Sequence, residues 1–180
     1  YYASKLSSSL DDIDFSIEDF VNKINSDVLG KFINIASRIG SIVNKKLDGK
    51  LSTIDADGQA MLDRMLAPAD AIKDAYDQLE TNKGMRMIME CADIANKYID
   101  EQAPWALVKE NPEQAQIVCT VSLNALRILM IYLSPVLTQV TAKLAQFLNI
   151  EPQMWDQLDV PIVESTIQPY EHILKRLVLD

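Results

Sequence analysis

The sequence predicts an all-α fold, an antiparallel bundle of about five helices, on three observations. Apolar residues recur at spacings of three and four over long stretches, which is the period of one helix face. Only 5 Gly and 7 Pro punctuate 180 residues, few for a chain of many short strands and turns. Two prolines directly follow a capping residue, in "NPEQ" and "SPVL", a grammar that opens helices. With 48% apolar and 24% charged residues, a chain of this length fits one domain around one core.

The opening "YYASKLSSSLDDIDF", residues 1–15, has no sustained period and reads as a connecting segment. Ser16, with Asp19 three residues on, makes a shortened capping box. Beyond it Ile17, Phe20, Val21, Ile24, Val28, Phe32, Ile35, Ile39 and Ile42 mark one apolar face. One long amphipathic helix therefore runs to about Lys46, where "LDGK" ends it. A second helix lies between Gly58 and Glu80, with Pro68 kinking or splitting it. The third opens at "TNK" and continues through Met85, Ile88, Met89, Ala92, Ala95 and Ile99 to a break before Pro104. Asn111 and Pro112 start a fourth helix, about 112–133, and Ser134 and Pro135 a fifth, about 135–149. Residues 16–150 thus form the bundle. Residues 151–180 contain Pro152, Pro161 and Pro169 and read as a turn of helix, an extended segment and a candidate terminal helix. No repeat of 20 to 50 residues occurs, against a solenoid.

Enzyme chemistry is poorly represented. One histidine, His172, cannot supply a zinc motif or a histidine cluster, and no P-loop, G-x-G-x-x-G or G-x-S-x-G is present. Carboxylate neighbours such as Asp11/Asp12 and Glu90/Asp93 read as solvated surface in a chain with 26 acidic residues. His172 reads as structural. Cys91 and Cys119 form no C-x-x-C pair, which points to a reduced, cytoplasmic protein. The most apolar stretch, "IVCTVSLNALRILMIYL", is interrupted by Asn124 and Arg127 and reads as a buried helix, with no membrane partner.

The net charge of −9 argues against DNA and against nucleic acid in general. Its distribution does not. Residues 1–30 carry Lys5 and Lys23 against Asp11, Asp12, Asp14, Glu18, Asp19 and Asp27, whereas residues 31–50 carry Lys31, Arg38, Lys45, Lys46 and Lys50 against Asp48 alone. Within this basic island Lys31, Asn34, Arg38, Ser41 and Lys45 advance by threes and fours as one polar stripe. Arg offers a planar fork of donors and Asn both donor and acceptor, a combination able to read the edge of an unpaired base. Composition alone favours a plain solvated face. Trp105 in "DEQAPWALVKE" raises a parallel question, since Pro104 makes a corner there. The indole is either a plug on the bundle end or a platform on which an unpaired base stacks. Trp155 in "PQMWDQ" takes the packed reading.

Together, "YYASKLSS", "NIASR", "VNKK", "ADIANKYIDEQAPWALVK" and "LNALRILMIYLSPVL" resemble, in the same order, the C-terminal α-helical anticodon-binding domain of bacterial methionyl-tRNA synthetase. The N-x-x-x-R of the first helix, combined with "YIDEQAPW", is the most specific part. The bundles of the isoleucine, valine and cysteine enzymes carry different motifs and match less well. The resemblance implies that Asn34 and Arg38 read the first anticodon base, a cytosine, while Trp105 stacks on it. It further implies that Pro104 shapes the turn and that Asp100 helps to reject wrong anticodons. Lys31, Lys45 and Lys46 are candidate phosphate contacts. Gly30 departs from the pattern, because some members carry an asparagine there, one turn before Asn34.

The nucleotide-binding signatures HIGH and KMSKS and the zinc-binding insert of the family are not found in these residues. The chain therefore resembles an excised domain, with no cofactor of its own. The implied parent would use ATP with magnesium to attach methionine to tRNA, with zinc in its catalytic part. The implied partners are the CAU anticodon loop of tRNA(Met) and that catalytic domain, toward which the tail "IQPYEHILKRL" would return. The rival expectation is an all-α protein-interaction bundle.

Overall fold

The computed structural model describes residues 1–5 and 16–178. The expected connecting segment is thus described only at its start, where Ala3–Lys5 form a 3-10 turn; residues 6–15 lie outside the described residues. The first helix is one continuous rod in three parts: α1 (Ile17–Lys23), a π-helical stretch (Ile24–Ile33) and α2 (Asn34–Lys46). Ser16 caps it as expected, its hydroxyl accepting from the Asp19 N–H at 3.2 Å. The π stretch is not foreseeable from spacing, since a widened turn keeps nearly the same apolar face. A Cβ at Gly30 would stand 3.2 Å from the Asn25 carbonyl oxygen, so this turn favours glycine.

Helix α3 (Ala56–Leu66) starts two residues before the expected Gly58, because Asp55 takes the cap and accepts from the Gly58 N–H at 2.8 Å. Pro68 splits rather than kinks the second helix, and α4 (Ala69–Asp77) follows it. Helix α5 (Thr81–Gln102) ends at Ala103, whose backbone is left-handed at φ 43 and ψ 57. A short helix then appears that the sequence reading lacks, α6 (Pro104–Glu110), with Pro104 at its first position. Seven residues carry too little periodicity to declare a helix.

Helix α7 (Pro112–Leu133) opens on the Asn111 cap, which accepts from the Gln114 N–H at 3.2 Å. It is the central rod. Residues 118–133 are buried without a gap, and the helix packs on α2, α3, α5 and α6. By length and apolarity it could cross a membrane, but it is enclosed by the protein's own helices. Its interrupting Arg127 is only 1% exposed and donates to the Gln157 and Leu158 carbonyls, both at 2.7 Å. Asn124 likewise holds the chain at Ile162 through both its amide nitrogen and its oxygen.

Two expectations fail. Ser134 and Pro135 do not start a helix: the Ser134 hydroxyl donates back to the Ile131 carbonyl at 2.9 Å, closing α7, and α8 (Thr138–Leu148) begins after a turn. The candidate terminal helix is also absent from the described tail. After a 3-10 turn at Trp155–Gln157, the tail crosses residues 49–52 through an antiparallel bridge between Lys50 and Thr166. It then runs back along the first helix. Asn44 accepts from Tyr170 N–H at 3.1 Å, and Asn25 exchanges a reciprocal pair of 2.9 Å bonds with the backbone of Leu177. Backbone groups committed to these amides are not free for helical bonds.

Candidate nucleic-acid interface

The first helix and α5 lie side by side and run in the same direction, because the α3–α4 pair returns the chain between them. Two ion pairs record the register. Lys31 meets Asp93 at 2.7 Å and Arg38 meets Asp100 at 2.9 Å, seven residues further along both helices. Between them Asn96 donates to the Lys31 carbonyl at 2.8 Å, within the π stretch, tying α5 to the first helix. Asn96 was not singled out from sequence, where it reads as an ordinary polar residue of α5.

At the end of α5 the left-handed Ala103 turns the chain, and Pro104, buried, opens α6. The corner therefore belongs to Ala103 more than to Pro104, which serves as the pre-set first residue of the new helix. Trp105, next in line, is 41% exposed. The Arg38 guanidinium lies over its ring, 4.7 Å from Cζ to the centroid. Indole, guanidinium and the Asp100 carboxylate thus form one surface corner, drawn from α6, α2 and α5.

The other expected residues surround this corner unequally. Asn34 sits one turn before Arg38 and half-buried, on the flank of a groove between the first helix and the tail. Lys31 lies about 10 Å away along the axis and is engaged by Asp93. Lys45 and Lys46 are exposed at the other end of α2, also about 10 Å from Arg38. The polar stripe is thus genuine as a face, but its cations are spread over it.

Both ion pairs are largely solvated, and exposed pairs of this kind contribute roughly 0–1 kcal/mol. A cation resting on an exposed ring adds about 0.5–1 kcal/mol. Arg38 is therefore held in place yet easily released. The corner offers an aromatic face, a planar donor fork and an acceptor, which suits recognition. Nothing in it resembles an activated nucleophile. The two thiols lie elsewhere and buried, and desolvation pushes Cys91 up to about 11 and Cys119 up to about 12.

Trp155 contrasts with Trp105. It packs against Tyr132 with ring centroids 5.2 Å apart and meets Tyr76 edge-on at 6.4 Å, as the packed reading expects. His172 lies in the tail beside Tyr170, at 6.2 Å between centroids.

Comparison with known proteins gives the family. Residues 50–173 match the family described as the anticodon binding domain of methionyl tRNA ligase, and residues 1–40 match class I tRNA synthetases of the methionine type. The whole chain is 41% identical to the methionine–tRNA ligase of Bdellovibrio bacteriovorus, spanning 26% of that protein. In structure it is similar to ligand-free methionyl-tRNA synthetase of Mycobacterium tuberculosis, with a TM-score of 0.85 and 24% identity. That match covers 92% of this chain and 36% of the other. The same synthetase bound by methionyl-adenylate gives 0.81 at 25% identity, covering 88% and 34%. The fold is that of the helical, anticodon-binding part of a class I synthetase. The chain belongs to the family of anticodon-binding domains of methionyl-tRNA ligase.

Proposed function

We propose that this chain reads the CAU anticodon of tRNA(Met) on behalf of a methionine–tRNA ligase whose catalytic part uses ATP and magnesium to attach methionine, in the cytoplasm. The observation that carries the reading is the corner where Arg38 rests on an exposed Trp105 and is tethered to Asp100. The first anticodon base stacks on Trp105. The Arg38 fork and the Asn34 amide, one turn apart, bond its cytosine edge, whose carbonyl and ring nitrogen accept and whose exocyclic amine donates. Asp100 and Trp105 hold Arg38 in readiness until the base replaces them, an exchange that gives up only weak, solvated contacts. An acceptor at Asp100 also disfavours bases presenting acceptors at that point. Lys31, Lys45 and Lys46 lie along the same face for the flanking phosphates.

No set of three or more His, Cys, Asp or Glu able to hold a metal forms among the described residues, so they do not fit the family's zinc. Zinc, like ATP, is assigned to the catalytic part. The test is a binding titration with a CAU stem-loop, following tryptophan fluorescence. Trp105→Ala should weaken binding by roughly 1–3 kcal/mol while leaving thermal unfolding nearly unchanged. Equal binding by the variant would remove Trp105 from the site.

A further inference from the structure

The tail does not merely lie on the first helix; it leaves a groove beside it. The groove has a volume of about 660 Å³ and is open to solvent. On the helix side it is walled by Gly30, Asn34 and Ser37, and on the tail side by His172, Lys175 and Arg176. The two asparagine clamps bracket it. Asn44 holds Tyr170 at one end and Asn25 holds Leu177 at the other, so the tail between them is tied down at both ends, with His172, Leu174, Lys175 and Arg176 along the groove. Small residues keep it open, since Gly30 has no side chain and Ser37 is short.

Its charge is the unusual property. The chain carries −9 overall, with 26 acidic residues against 17 Lys and Arg, yet no Asp or Glu lines this groove. Glu171, the nearest acidic neighbour in sequence, lines a separate hollow beside α8. Lys175 and Arg176 are both exposed on the rim, and no carboxylate pairs with either among the described residues. Below the cationic rim the walls mix apolar side chains, Leu29, Ile33 and Leu174, with the polar groups of Asn25, Asn34 and Ser37. A sugar–phosphate segment suits them, its phosphate toward the rim and its sugar against the walls. Asn34, on the groove wall, stands one turn before Arg38 on the same helix, so the groove and the corner are neighbours along α2.

We propose that this groove is a second RNA subsite, taking the sugar–phosphate of the anticodon-loop nucleotide that adjoins the base stacked on Trp105. Lys175 and Arg176 neutralise its phosphates, and Gly30 and Ser37 give the sugar room. The assignment rests on the anticodon-reading function and extends its footprint to the tail. In this arrangement the tail is part of the binding surface, and Gly30 has a purpose that an asparagine would fill.

The test measures stem-loop affinity as a function of salt for the wild-type chain, for Lys175→Gln/Arg176→Gln, and for the charge-conserving Lys175→Arg/Arg176→Lys. The neutral pair should weaken CAU and base-swapped loops alike, roughly tenfold at moderate salt, and flatten the slope of log K against log salt by about 1–2. The conservative pair should restore both. Unchanged affinity and slope in the neutral pair, with binding still weakened by Trp105→Ala, would overturn the groove and leave the anticodon reading standing. A loss confined to one loop sequence would overturn the phosphate assignment. Absence of wild-type binding would bring down both.

Discussion

The chain uses its two tryptophans and two of its arginines in opposite ways. At one place Trp105 and Arg38 meet at the surface, the guanidinium stacked on an exposed ring and paired with a solvated carboxylate. At another, Trp155 is wedged against Tyr76 and Tyr132, while Arg127, nearby in the same tail junction, is sealed in and bound to main-chain carbonyls. The residue types are the same, but their partners differ. Arg127 meets partners that cannot leave, since its carbonyls belong to the tail's backbone. Arg38 meets partners that water or a ligand can replace at small cost. Residue chemistry alone therefore does not separate fastening from recognition; the exchangeability of the partners does.

The contrast is sharpest in stability. Arg127→Met should destabilise the domain by about 2–5 kcal/mol, because the Gln157 and Leu158 carbonyls lose their donors. Arg38→Met should cost less than about 1 kcal/mol by the same urea titration. Comparable losses at the two sites would erase the distinction.

The tryptophans give the next effect. Trp155→Ala should lower stability by about 2–4 kcal/mol through the cavity left against the two tyrosines, whereas Trp105→Ala should leave the midpoint nearly in place. Unfolding curves of the two variants decide it, and an equally unstable Trp105→Ala would mean that the indole is a plug after all.

A smaller effect separates core from surface by pH. The thiols of Cys91 and Cys119 have folded pKa values above the ordinary 9, at about 11 and about 12. The stability tied to keeping them protonated is whole below pH 9 and is lost as pH rises toward those values. Replacing both by Ala should flatten that part of the alkaline decline in a pH series of unfolding free energies. A decline of unchanged steepness would contradict their burial.

Much of the fold was legible in the sequence, for identifiable reasons. The Ser16 and Asn111 caps and the three-and-four spacing of the first helix and α5 act locally, so those helices lie where expected, the π turns of the first apart. "SPVL" misleads because Ser134 has a second choice, a carbonyl behind it, which only the end of α7 reveals. The tail's course depends on Asn25 and Asn44, more than a hundred residues away in sequence, and no local pattern announces such clamps. At the site, Asn34 and Arg38 came from the spacing of the polar stripe and Trp105 from the break at Pro104, with their roles and Asp100 supplied by the resemblance in motif. The stacking of Arg38 on Trp105 came only with the register of α5 against the first helix and the left-handed turn at Ala103. The same register gives Lys31 a solvated partner, Asp93, that the sequence alone does not announce.

The central claim is that Arg38 reads a base and does not merely attract phosphate. It is tested most directly by measuring Arg38→Gln against two stem-loops, CAU and one in which the cytosine is replaced. Recognition of the cytosine edge predicts a loss of roughly 1–3 kcal/mol for CAU and a much smaller loss for the altered loop. Equal losses for both loops would contradict it and reduce Arg38 to a general electrostatic contact.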